Sequence, residues 1–312
     1  MFKFNKKALL LKNEVTYGTD PTPTGAANAI LARNISIKPL RLETDQRNLD
    51  LPWFGNQGRL VAGKFVEIDF EVEIAGSGAA GTAPAVGAAL KACGMPETIN
   101  AGVSVVYSLA SPAVANDVSA AIYFNVDGRL HKITGSLGTV KVMLSKGKIP
   151  VYQFHFVGLY NLPTDTALPA LTLTAWQKPL AVNNANTTPA TLFTYAAKFL
   201  SIELDVGNVL AYRNLPNSEA VRFLDRSSTA RFQFEAETVA AKDWWTAVTA
   251  ETNGALTVTQ GTAAGNKVKF DAANVQLGEP DLGNDSGVAV ETYPADLKPS
   301  TAGNDELTIT YL

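Results

Sequence analysis

Side chains alternate strictly between apolar and acidic along the run FVEIDFEVEI. Ile68, Phe70, Val72 and Ile74 fall on one face, and Glu67, Asp69, Glu71 and Glu73 on the other. A period of two over ten residues predicts a half-buried antiparallel strand. About 164 positions later the pattern returns in RFQFEAE, with Phe232, Phe234 and Ala236 alternating with Arg231, Gln233, Glu235 and Glu237. Each run is followed by a short segment of helical character and then by more strands. The order of elements, rather than residue identity, points to a duplicated unit.

The pattern predicts a mainly β chain of two tandem sandwich or barrel modules, each with a short flanking helix. Residues 1–29 read as an extended N-terminal arm. Its centre, Tyr17-Gly18-Thr19-Asp20-Pro21-Thr22-Pro23, is turn chemistry with little to pack, so the arm is expected to be disordered or laid across a neighbour. The first module spans 30–163. A strand over 35–43 leads through the long connection TDQRNLDLPWFGNQGRL to the strand at 64–75. Thr82 is the expected N-cap of the helix APAVGAALKAC, with Pro84 in its first turn and Gly94 as its stop. Strands are expected at 103–109, 120–126, 129–133, 137–144 and 151–160, with Asp127-Gly128 as a hairpin turn.

Residues 164–189 lie in a Pro- and Thr-rich linker, and the second module spans 190–312. FLSIELDV opens it, and a second long connection, GNVLAYRNLPNSEAVRFLD, takes the place of the first. The strand at 228–238 answers the one at 64–75, and AAKDWWTAVTAE is the matching helix. Strands at 255–259, 267–270, 275–277 and 306–311 complete the module.

Composition narrows the chemistry. With 312 residues, two domains are favoured over one. The chain is 46% hydrophobic and 18% charged, with a formal net charge of −3. An excess of basic charge for gripping nucleic acid is absent. The single cysteine, Cys93, excludes an internal disulfide and a cysteine-cluster metal site, and its Ala-rich surroundings predict burial. No apolar run approaches the roughly 20 residues of a membrane helix. MFKFNKKALLLKNE reads as an ordered or docking arm rather than a secretory signal, and a cytoplasm-like compartment of synthesis is expected.

The candidate sites of chemistry are weak. His131 and His155 sit in strand patterns without the spacing of a zinc site. Gly76-Ser77-Gly78 has no phosphate-loop lysine and joins the wrong elements for a nucleophile turn, so it reads as a linker. DLGNDSG at 281–287 has calcium-like composition without the spacing of a calcium loop. Trp244 and Trp245 read as core and interface packing. No nucleophile, base and orienter assemble, so neither catalysis nor a cofactor is expected. The acidic strand face stands out. Carboxylates at every second position repel one another, and a solvated sheet normally mixes signs. Lining a pore, they would present negative potential to its lumen and let phosphate-bearing DNA pass without sticking.

Three segments carry a resemblance: the arm KNEVTYGTDPTPTGAANAIL, the stretch LETDQRNLDLPWFGNQGRLVAGKFVEIDFEVEIAG, and the helix GTAPAVGAALKACGM. Together they are similar to the major tail, or tail tube, proteins of long-tailed bacteriophages, especially Mu-like siphophages. The resemblance implies a structural virion protein of a long non-contractile tail, assembled in the host cytoplasm. It implies six β modules joined edge to edge in each ring, hence a trimer of two-module chains with pseudo-sixfold symmetry, and rings stacked into a tube that delivers DNA. Glu67, Asp69, Glu71, Glu73, Glu235 and Glu237 would then face the lumen. The two long connections would stack rings, through Asp45, Arg47, Asp50, Trp53, Phe54 and Arg59 in the first and Tyr212, Arg213 and Phe223 in the second. The arm, with Tyr17, Asp20 and Pro21, would bridge subunits. Implied partners are other copies of the chain, a tape-measure protein, terminator and distal tail proteins, and DNA in transit; no membrane is implied. The alternative is a carbohydrate-binding β-sandwich of a virion or receptor-binding module, in which Trp244 and Trp245 would stack on sugars.

Overall fold

The computed structural model describes residues 3–111 and 118–312. Among the described residues, twenty strands and two short helices follow one another. The first half holds β1 (Lys7–Asn13), β2 (Ala29–Ile30), β3 (Ala32–Gln46), β4 (Arg59–Glu73), α1 (Gly87–Ala92), β5 (Glu97–Asn100), β6 (Ser104–Ser108), β7 (Ala120–Val126), β8 (Arg129–Ser145) and β9 (Val151–Tyr160). After β10 (Thr164–Asp165) and β11 (Thr187–Leu192) come β12 (Phe199–Asp205), β13 (Asn208–Leu215), β14 (Ser218–Arg226), β15 (Thr229–Glu235) and α2 (Trp244–Thr249). The chain finishes with β16 (Asn253–Gln260), β17 (Val268–Leu277), β18 (Asp281–Asp285), β19 (Val288–Lys298) and β20 (Thr308–Tyr311).

Eight of these strands form one continuous antiparallel run. Its order is β3–β4–β9–β8 from the first half, then β12–β15–β19–β18 from the second. The joint between the halves is the pairing of β8 with β12, from Ser145 opposite Ser201 to Lys141 opposite Asp205. A second layer runs β5–β6–β20–β17–β16–β11. The final strand β20 lies between β6 of the first half and β17 of the second, so the chain end fastens the two together. The N-terminal part of β8 turns aside to pair with β7, which pairs with β1.

The alternation in β4 works as its period demands. Val66, Ile68, Phe70 and Val72 are at most 2% exposed and face the core. Phe70 stacks between Phe154 and Phe156 of β9, at 5.2 and 5.7 Å. Phe232 and Phe234 of β15 are buried likewise, and Phe234 stacks on Tyr293 at 5.3 Å. Each such side chain contributes about 1.5–3 kcal/mol over its exposed state. The core is continuous through both halves. The Tyr152 and Tyr311 hydroxyls meet at 3.0 Å, and Tyr152 meets Phe270 edge-on. A partly buried ion pair also ties distant segments. Arg226 donates to Glu306 Oε1 at 2.8 Å and to the Ala110 carbonyl at 2.9 Å.

Both helices and both long connections differ from expectation. The first helix begins at Gly87 rather than beside Thr82, because Pro84 supports only a turn, in which Gly87 N–H reaches the Pro84 carbonyl. Its N-cap is Val86, without a side-chain cap. The second helix is shorter than AAKDWWTAVTAE and starts where Asp243 accepts the Thr246 N–H at 2.8 Å. The two long connections are largely strand: β3 and β4 extend outward as far as Gln46 opposite Arg59, and 207–225 folds into the hairpin β13–β14. Backbone pairing alone builds these extensions, so no core-facing period announces them.

The N-terminal segment is part of the fold over β1. All seven residues of β1 find partners on β7, and Leu9 and Leu11 are 1% exposed. The 161–186 stretch is fastened too. Trp176 Nε1 donates to the Ala29 carbonyl at 3.0 Å, and Leu171 and Leu173 cover Leu10, Tyr123 and Leu130.

Candidate assembly surfaces

The outward face of the eight-stranded run carries the acidic row, and the neighbouring strands supply counter-charges to it. Lys38 Nζ lies 2.6 Å from Glu67 Oε2, with Arg41 3.3 Å from the other oxygen. Arg33 Nε lies 2.9 Å from Glu71 and 3.8 Å, through Nη1, from Glu73. His155 Nδ1 meets Asp69 Oδ1 at 2.7 Å, and Gln153 donates to Glu71 at 3.1 Å. The repulsion expected along β4 is therefore offset across the sheet, by β3 on one side and β9 on the other. Partial burial opposes ionisation of Glu67, but Lys38 and Arg41 outweigh it and hold the carboxyl below its usual range.

The second half repeats the arrangement sparsely. Glu235 lies 3.9 Å and Glu237 3.0 Å from Lys198, and Glu237 also accepts the Tyr195 hydroxyl proton. Those two partners hold the Glu237 carboxyl low. At the joint of the halves, Lys141 and Asp205 pair at 3.2 Å. By strand register, Glu203, Asp281 and Asp285 share this face with them, whereas Arg231 is the main additional cation. Carboxylates thus outnumber Lys and Arg on a wall that mixes both signs.

The two hairpins differ in what they present. The β3–β4 hairpin carries Trp53 and Phe54 at 67% and 106% exposure, with Leu49 and Leu51 also exposed. Among the described residues, Asp45, Arg47, Asp50 and Arg59 have no ion-pair partner in the chain. The β13–β14 hairpin instead folds back on the first half. Tyr212 stacks on Phe65 at 5.0 Å and donates to Glu219 at 2.6 Å. Phe223 packs with Leu210 over Leu137 and Val157. Tyr212 and Phe223 are thereby engaged within their own chain, and only Arg213 of the expected trio is freely exposed.

The arm residues are likewise held in their own chain. The Tyr17 hydroxyl donates to the Gly135 carbonyl at 3.0 Å and accepts the Val221 N–H at 2.6 Å, while Arg222 lies 5.1 Å over its ring. Gly135, at φ +57°, leaves no room for a side chain: a Cβ there would lie 2.8 Å from that ring. Burial pushes the Tyr17 hydroxyl up to about 12. Asp20 receives the Tyr123 hydroxyl and lies 3.2 Å from Lys132; these bonds overcome partial burial and hold its carboxyl low. The Pro21 carbonyl accepts from Lys12 at 2.9 Å.

Sequence reasoning passed over Glu14. It is buried and accepts from Gly18 N–H, Ser119 Oγ and Gly135 N–H at 2.7, 2.6 and 2.8 Å, so it organises the turn that seats Tyr17. A lone carboxylate after the apolar KALLLKN run was its only signal. Gly76 and Gly78 do act as a connection, bonded to Asn266 and Gly265 of the second half. Cys93 is fully buried, and burial pushes its thiol pKa up. Trp244 is 3% exposed and Trp245 44%. Among the described residues no group of three His, Cys, Asp or Glu could hold a metal ion, and no helix is long and apolar enough to cross a membrane.

No curated protein matches the chain. A family model described as phage tail tube protein matches residues 5–297. That match takes in both halves of the eight-stranded sheet, the projecting hairpin and the charged outward face, and the chain belongs to the phage tail tube protein family.

Proposed function

We propose that this structural virion protein builds the tube of a long non-contractile tail, of the Mu-like siphophage type, from rings of three chains with pseudo-sixfold symmetry. Each chain contributes two modules, 30–163 and 190–312, joined by the 164–189 linker and preceded by the arm 1–29. One observation carries this reading: each half supplies four strands, in equivalent order, to a single antiparallel sheet whose two end strands, among the described residues, each keep one edge free. A head-to-tail contact between such ends closes into a ring and leaves no open edge.

On this reading the face bearing Glu67, Asp69, Glu71, Glu73 and Glu235 lines the lumen, with Glu237 at its margin, and DNA moves past it to the host. The tip of the first hairpin, with Trp53 and Phe54 flanked by unpaired charges, meets the next ring. Tape-measure, terminator and distal tail proteins are the remaining partners, and assembly takes place in the host cytoplasm. Averaged electron micrographs of purified tubes viewed down the axis test the proposal. Three chains around a central channel support it, and a protein that remains monomeric at high concentration refutes it. The carbohydrate-binding alternative needs an exposed tryptophan pair, and the burial of Trp244 takes half of that pair away.

A further inference from the structure

Both ends of the eight-stranded run are free: among the described residues β3 pairs only with β4, and β18 only with β19. The chain also contains, at β8–β12, a finished joint between its halves. Strand registers identify which residues at the free ends correspond to that joint. Asp69 of β4 lies opposite Ser36 and His155, and Gln233 of β15 lies opposite Ser201 and Thr292. Ser36 is thus the counterpart of Ser201, and His155 of Thr292. One strand further, His155 lies opposite Thr139 of β8, and Thr292 opposite Asp281 of β18. Four residues along, Met143 corresponds to Asp285; two residues beyond Ser201 and Ser36, Glu203 corresponds to Lys38.

We infer that the β8–β12 joint is the template for contact between copies: β18 of one chain pairs antiparallel with β3 of a second copy, with Asp285 opposite Lys38 as Met143 is opposite Glu203 within the chain. The inference rests on the ring reading above and adds the edges and the register. Two further observations support it. Core-facing residues of the internal joint are sealed, Val140 at 0% and Ile202 at 2% exposure, whereas Leu282, the counterpart of Val140, is 69% exposed and Ile37, the counterpart of Ile202, is only partly buried. The register also brings opposite charges together at Asp285 and Lys38. In the single chain Asp285 reaches back to Lys146 at 2.9 Å, and Lys38 to Glu67. Pro39 has no N–H, so the β3 side of the ladder lacks one donor.

The test is site-directed cross-linking in the full chain. Lys38→Cys and Asp285→Cys in one chain place two thiols directly opposite across the joint, where Cα atoms lie about 4.5–5.5 Å apart, within the range of about 4.4–6.8 Å that a disulfide spans. Lys38→Cys with Asp281→Cys puts them four residues out of register, about 13 Å further along the strand and beyond the Cα separation of about 7 Å that a disulfide tolerates. Under oxidation the first variant should give covalent multimers and the second only monomers. Cys93 is buried and stays in both. Independently, D285K should raise the half-assembly concentration about tenfold by setting like charges face to face, and the K38D/D285K swap should restore it. Lys146→Ala, which removes only the contact within the chain, should leave assembly unchanged. Rings by microscopy with cross-linking only from the second variant, or D285K assembling as readily as the unaltered protein, would overturn the inference and leave the ring reading intact. Absence of rings from the unaltered protein would overturn both.

Discussion

At the residue scale, the acidic row shows how pairing alters a pattern that spacing makes repulsive. Glu67 is held by Lys38 and Arg41, so its carboxyl titrates below the unfolded value near 4.5. A depressed carboxyl stabilises the fold fully above the unfolded pKa, and the contribution is lost as pH falls through the folded one. Glu67→Gln should therefore flatten the decline of the unfolding temperature below about pH 4.5. The loss at neutral pH should stay within about 1 kcal/mol, because the pair sits at the surface. Calorimetry across the acid range reads both. Tyr17 behaves in the opposite sense. Its pKa near 12 lies above the unfolded value near 10, so its stabilisation holds below pH 10 and fades as pH rises through 12. Tyr17→Phe removes the hydroxyl that joins Gly135 to Val221 and should cost about 1–3 kcal/mol. Urea denaturation measures it, and an unchanged midpoint would show that the arm is not fastened through this hydroxyl.

At the scale of elements, what could be read beforehand followed the core. Strands with one apolar face, such as β4, β9, β12 and β15, were legible because burial imposes a period of two on their side chains. The outer parts of β3 and β4, and the whole of β13–β14, look like connections in the sequence because they bury little and their order comes from backbone pairing. The reversal of roles between the hairpins was invisible for the same reason: Tyr212 and Phe223 look like surface anchors until Phe65 and Leu137 are brought beneath them. Counter-charges were missed as well, since Arg33, Lys38 and Arg41 lie some 30 residues from their partners along the chain. The tryptophan pair shows the same limit. Trp244 meets Phe193, Tyr195 and Phe234 at 5.1–6.0 Å while its neighbour faces outward. Trp244→Ala should cost about 3–5 kcal/mol by leaving a cavity, and Trp245→Ala far less; parallel unfolding curves decide. At the projecting hairpin, Trp53→Ala with Phe54→Ala should leave the chain's stability unchanged and yield rings that do not stack. Long tubes from that variant would remove the hairpin from the ring contact.

At the scale of the whole molecule, the proposed lumen wall is a balance rather than a uniform negative coat, and the balance has a testable consequence. Replacing Glu67, Glu71 and Glu73 by glutamine and Asp69 by asparagine keeps side-chain size but leaves Arg33, Lys38 and Arg41 without partners on the same face. The local sign then changes from negative to positive. Each exposed cation can displace a counterion from a passing phosphate, and such attraction falls steeply with salt. Tubes of the quadruple variant should retain DNA at low ionic strength, release it as salt rises, and slow genome ejection from whole particles. Adding Arg33→Gln and Arg41→Gln should bring passage back toward normal without restoring a single carboxylate. This compensation separates a requirement for low attraction from a requirement for negative charge itself. Recovery in the compensated variant would mean that the acids serve mainly to neutralise the basic residues of β3. Slow ejection that persists after compensation would mean that repulsion of the backbone is needed. Ejection at normal speed from the quadruple variant would place this face away from the path of the DNA and return the wall charges to a purely structural role.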